Sequence, residues 1–169
     1  IPSQVKILER SVELSTRLYI MQEREQKEGI IRFKDYRLFS MSYRCEPNYN
    51  PKSDPECKLM FNFSYGVADL ASGDVQVNFL VQVYYGKEST DAEQSPFSVS
   101  AEIGGKFNAA DGGKWDHCWD ANAIAILYPY ARAIISSVTA QAGVDTVILP
   151  TVNVAAMLMN GDAAEPDTE

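Results

Sequence analysis

Residues 121–142 read ANAIAILYPYARAIISSVTAQA, and this stretch decides the fold. Ile124, Leu127, Ala131, Ile135 and Val138 recur at helical spacing on one face, and Ile126, Tyr130, Ile134 and Ser137 form a second apolar face. Arg132 is the only charged residue between Asn122 and Gly143. A helix that is apolar nearly all round is buried on all sides. Pro129 lies inside it, so the regular helix either starts near that residue or bends there.

Upstream of this helix the period is two. Phe39, Met41, Tyr43 and Cys45 alternate with Ser40, Ser42 and Arg44 in a first strand. A loop rich in Pro, Asn and Asp covers 46–56. The second strand alternates Leu59, Phe61, Phe63, Tyr65 and Val67 with Met60, Asn62, Ser64 and Gly66. Ser72-Gly73-Asp74 supplies turn chemistry before a third strand, Val75 to Tyr85, which makes an antiparallel hairpin with the second. The fourth strand carries Phe97, Val99, Ala101 and Ile103, and the glycine pairs Gly104-Gly105 and Gly112-Gly113 are read as turning the chain towards the helix. The expected class is α+β: a four-stranded antiparallel sheet with a long and a short C-terminal helix on one side. One sheet covers only one face of the helix, so a second subunit is expected to cover the other, with Ile126, Leu127, Tyr130, Ile134 and Ser137 at the interface.

The ends complete a three-part organisation. Residues 1–28 read as an N-terminal helical extension with a stripe of Ile7, Leu14, Leu18 and Met21, stopping at Gly29. Residues 29–160 form the main domain, with a short helix starting near Asn153, and 161–169 form an acidic tail expected to be disordered.

The chain has 169 residues, a net charge of −8 and 46% apolar residues, values of an ordinary globular domain. The acidic balance argues against nucleic acid as a partner. No stretch reaches the apolar length of a membrane span, and the N-terminus lacks the layout of a secretory signal. Cys45, Cys57 and Cys118 are an odd, sparse count that does not read as a disulfide framework, so a soluble protein of a reducing compartment, most simply the cytoplasm, is expected.

Catalytic chemistry is scarce. His117-Cys118, flanked by Asp116 and Asp120, is the only pairing of a nucleophile with a base, and adjacent residues on a chain rarely face one another. A Cys-dependent hydrolase is therefore the minor alternative. One histidine denies the chain most metal geometries, and neither glycine pair fits a phosphate-binding motif, so no catalytic residue, metal or cofactor is assigned. The aromatic content exceeds what one thin core needs, and two readings of it stay open: the rings fill the core and a dimer interface, or they form an exposed groove for unfolded polypeptide, for which the candidate lining is Phe33, Tyr36, Phe39, Phe61, Phe63, Tyr65, Met157 and Leu158.

Leu127-Tyr128-Pro129-Tyr130-Ala131-Arg132, followed by Ile135-Ser136, is similar to the L-F-P-Y-A-R-x-x-I-S/T core of the SecB export chaperones. The similarity continues through Gly143, Leu149-Pro150-x-Val152-Asn153 and Ala156-x-Leu158, and Gly104-Gly105-Lys106-Phe107 resembles the family's G-G-x-F. The resemblance implies a homotetramer, a dimer of dimers with the long helices between dimers. It also implies an ATP-independent holdase that wraps unfolded preproteins and passes them to the SecA motor. The family's motor-docking Leu-x-Glu on strand four is replaced here by Ser98-Val99-Ser100. SecB-like proteins with N-terminal extensions that protect an antitoxin of a toxin–antitoxin pair supply the second client expectation.

Overall fold

The computed structural model describes residues 30–87 and 90–161, without the side chains of 159–161. The helix expected over 1–28 and the tail expected to be disordered lie outside the described residues, apart from Gly161, which closes the last helix. Four strands form one antiparallel sheet: β1 (Ile31–Cys45), β2 (Lys58–Asp69), β3 (Val75–Gly86) and β4 (Phe97–Ala109). Helix α1 spans Asp120–Gln141 and α2 spans Val154–Gly161.

The sheet order is β1-β4-β3-β2. β2 and β3 form the expected hairpin, closed by Gly73 at φ 82°, a left-handed conformation that glycine adopts without steric cost. β1 pairs with β4, so the 46–57 connection carries the chain from one sheet edge to the other.

The alternation of β3 and β4 is fully realised. Val75, Val77, Phe79, Val81 and Val83 face the same way as Val99, Ala101, Ile103 and Phe107, all buried. Ala123, Ile124, Leu127, Ala131 and Ile135 of α1 complete this core. Val147, Leu149 and Val154 seal it from the chain beyond the helix.

Leu127 is fully buried against the protomer's own sheet, which removes it from the expected subunit interface. In helical register it belongs with Ile124 and Ala131, on the face that the sheet covers. The outward side of α1 presents small residues, Ala125, Pro129, Ala133, Ser137 and Ala140, all exposed. Pro129 lies within a continuous helix. Residues 117–141 are long and apolar enough to cross a membrane, contrary to the reading of the sequence, but their apolar face packs on the sheet as in a core helix.

Gly104 and Gly105 sit inside β4, which runs on to Ala109, rather than turning the chain. A Cβ on Gly105 would lie 2.7 Å from Leu127 Cδ2 and 2.7 Å from Phe107 Cε2, so glycine lets the helix approach the strand. On the opposite side, a Cβ on Gly104 would collide with the ring of Phe39. The turn falls instead at Gly112, with φ 74°.

Candidate functional site

The two sheet edges differ. β1 is interrupted twice, with register shifts between Phe33 and Asp35 and between Leu38 and Ser40. β2 pairs with β3 over twelve residues without a bulge, and its only charges are Lys58 and Asp69 at the ends. Bulges and charges are the devices that blunt an edge against pairing, and β2 lacks both along its interior.

The helix side of β2 carries Leu59, Phe61, Phe63, Tyr65 and Val67. Phe63 stacks parallel to Phe79 at 6.1 Å and tilts against Tyr128 at the same distance. Phe61 and Phe63 are half-buried, and Tyr65 is 44% exposed. Met157 and Leu158 of α2 pack half-buried on the same core.

Tyr128 of the motif run donates to Pro150 O at 2.5 Å, and burial pushes its phenol pKa up. This ties α1 to the segment carrying Pro150, Val152 and Asn153. Asn153 Oδ1 then accepts from Ala156 N at 3.2 Å and caps α2. Pro129, Arg132 and Val152 line a cleft of about 430 Å³ beside that joint, and Ala131 is buried beneath it.

Cavities flank β2 at both ends. Tyr49, Tyr85, Phe97 and Val144 line one of about 270 Å³ between the 46–57 and 142–153 connections. Burial, with Cys57 close by, raises the Tyr49 phenol. Val67, Asp69, Trp115 and His117 line another of about 630 Å³. Tyr49 and Tyr85 were not singled out from sequence as site residues, because only the fold brings the two connections together.

The eight residues expected to form one groove fall in separate places. Phe61, Phe63 and Tyr65 share the helix side of β2. Phe33 and Tyr36 lie across the sheet on β1, roughly 14 Å away at about 4.8 Å per strand. There Tyr36 and Phe33 pack on Tyr130, with centroids at 4.2 and 6.0 Å. Phe39 is on the opposite face of the sheet altogether, because the register shift at Leu38/Ser40 breaks the alternation that would place it with Met41. Leu38 takes its place, and Tyr36, Leu38, Met41 and Tyr43 form an exposed apolar strip beside the half-buried Ile126, Tyr130 and Ile134.

His117 and Cys118 do not form a reactive pair. The His117 ring turns to Asp120, with Nδ1 at 3.3 Å from Oδ2, and Asp120 also accepts from Trp115 Nε1 at 2.8 Å. Cys118 is exposed, and its hydrogen bond to the Asp116 carboxylate pushes the thiol pKa up, the direction opposite to nucleophile activation. No group of three or more metal-ligating side chains occurs among the described residues.

The family model of SecB, the preprotein translocase subunit, matches residues 38–165. An uncharacterized protein of Methanocaldococcus jannaschii, MJ0357, is 32% identical over 125 residues, which is 72% of this chain and 80% of that protein. Among solved structures, the Mycobacterium tuberculosis Rv1957 SecB-like chaperone, in complex with a ChAD peptide from the Rv1956 HigA1 antitoxin, superposes with a TM-score of 0.56 at 17% identity. That match covers 72% of this chain and 90% of the mycobacterial one. With the family model spanning most of the domain and the sheet-and-helix order agreeing, this chain belongs to the SecB family.

Proposed function

We propose that the protein is an ATP-independent holdase that binds unfolded polypeptide as an added strand along β2. The observation that carries this reading is the β2 edge itself: regular, uncharged along its interior and lined on its helix side by Phe61, Phe63 and Tyr65. An extended client meets backbone groups along the edge and places alternate side chains on the aromatic row. Met157 and Leu158 border the row, and the Tyr49–Tyr85 cavity receives a bulky side chain at its end. Such contacts are sequence-tolerant, and several weak ones on one long chain combine into high avidity. Cytoplasmic preproteins bound for Sec export are the first client class.

A second client, the antitoxin of a toxin–antitoxin pair, is favoured by one feature. The outer face of β4 presents Ser98 and Ser100, where motor docking in the family uses an acidic residue. A SecB-like neighbour is also known bound to an antitoxin peptide. The apolar strip of Tyr36, Leu38, Met41 and Tyr43 with Ile126, Tyr130, Ile134 and Ser137 serves assembly into a homotetramer.

The test is suppression of aggregation of a chemically denatured client at stoichiometric ratios. The intact protein is expected to protect, Phe63→Asp to lose most protection, and Cys118→Ala to match wild type. Absence of protection by the intact chain defeats the reading.

A further inference from the structure

We infer that the chain's own acidic segment, residues 162–169, folds back past α2 and seats a carboxylate on Arg132, in the cleft between α1 and the connection to α2. The inference does not depend on the client reading. Arg132 is the only charged residue of α1 after Asp120. It is half-buried, yet it makes no ion pair among the described residues. A guanidinium drawn partly out of water costs free energy that a carboxylate partner offsets.

The cleft of about 430 Å³ in which Arg132 sits holds no acidic side chain, and Pro129 and Val152 give it apolar walls. Two of its hydroxyls are already spent on backbone: Tyr128 donates to Pro150 O and Ser136 to Val147 O. The Arg132 guanidinium and the Thr151 hydroxyl remain as the donors of the lining that have no hydrogen bond among the described residues. A planar fork of N–H groups beside a free hydroxyl is a seat for a carboxylate.

The fold places such carboxylates nearby. α2 packs against α1, and Val152, two residues before α2, lines the cleft. The eight residues of α2 rise about 12 Å, so the chain leaves the helix within about 20 Å of the cleft. An extended chain covers about 3.3 Å per residue, which lets Asp167 and Glu169 span even that upper limit. Asp162 and Glu165 belong to the same segment, which has no Lys or Arg to oppose them. A net charge of −8 repels a free acidic partner at long range. A tethered one is already present at an effective concentration on the order of millimolar. Seated there, the segment fastens the far end of α2 as Asn153 caps the near end, and holds Met157 and Leu158 on the core.

The amide signals of residues 162–169 in the isotope-labelled full chain read the outcome. They are expected to be displaced from random-coil positions in the wild type. Arg132→Gln should return them there, and so should about 0.5 M salt, which screens a partly exposed ion pair. If Arg132→Gln does not fold, the combined Asp162→Asn, Glu165→Gln, Asp167→Asn and Glu169→Gln variant carries the test, because it alters no packed element. It should shift the Arg132 Nε–H signal and quicken amide exchange over α2 about two- to fivefold, the range set by one exposed ion pair. Random-coil positions in the wild type overturn the inference. So do displaced signals that ignore Arg132→Gln, which would seat the segment elsewhere. Wild-type signals at random-coil positions, together with a lighter species for Arg132→Gln in sedimentation velocity, overturn it in favour of a second copy of the chain as the occupant.

Discussion

Adjacent glycines in β4 do different jobs on the two faces of one strand. A Cβ at Gly105 meets Leu127 and Phe107, both fully buried, so neither neighbour can give way. Gly105→Ala is expected to cost about 1–3 kcal/mol in urea unfolding. At Gly104 the obstacle is an exposed Phe39 ring that can swing aside, so Gly104→Ala should cost less than about 1 kcal/mol. Equal losses would mean that the helix does not press on Gly105. Asp74 makes a second residue-scale case. The Lys34 ammonium at 2.6 Å holds its carboxyl pKa below the usual range. A depressed folded pKa means that the pair stabilises above the unfolded value, near about pH 4, and that this contribution is lost as pH falls through the folded value. Lys34→Met should lower stability across the neutral region and flatten the acid limb, the variant and wild-type curves converging once the pH is below the folded value. An unaltered acid limb would count against the pair.

At the scale of elements, α1 is fastened to the chain that follows it by hydroxyl groups. Thr139 Oγ1 donates to Ile135 O at 2.9 Å and accepts from Val147 N at 2.9 Å, all in the buried core. Ser136 Oγ adds a bond to Val147 O at 2.9 Å. Thr139→Val keeps the volume but leaves the Val147 N–H buried and unpaired, at a cost of about 1–3 kcal/mol. The loss should appear in thermal unfolding together with faster amide exchange over 145–150. A neutral result would show that water or a backbone shift satisfies Val147. The strands differ by the same logic. β3 and β4 are covered on one side and paired on both edges, so their alternation is clean. β1 has a free edge and tolerates two bulges.

At the scale of the molecule, two apolar surfaces stay open besides the β2 row, the outward ridge of α1 and the strip along β1. Ala133 lies on that ridge, exposed in the protomer. Ala133→Asp should therefore leave the protomer's fold intact by circular dichroism, yet split an assembly built on paired helices, because a carboxylate would be buried without a partner. Sedimentation velocity reads the outcome, and an unchanged profile would place the subunit contact elsewhere. Tyr130 is a poorer probe, since it also packs on Tyr36 and Phe33 within the protomer.

The strand pattern, the β2–β3 hairpin, the long apolar helix and the start of the short helix near Asn153 were readable from residue order, because period and turn chemistry act over a few neighbouring positions. The family run from Tyr128 to Arg132 was readable for the same reason. What only the tertiary structure decided is which edge is clean, that Phe39 faces outward, that Leu127 belongs to its own protomer, and that Gly104-Gly105 lies within a strand. Each depends on register or on the approach of a distant element. A single-residue bulge reverses every later side chain without changing the composition of the stretch that contains it.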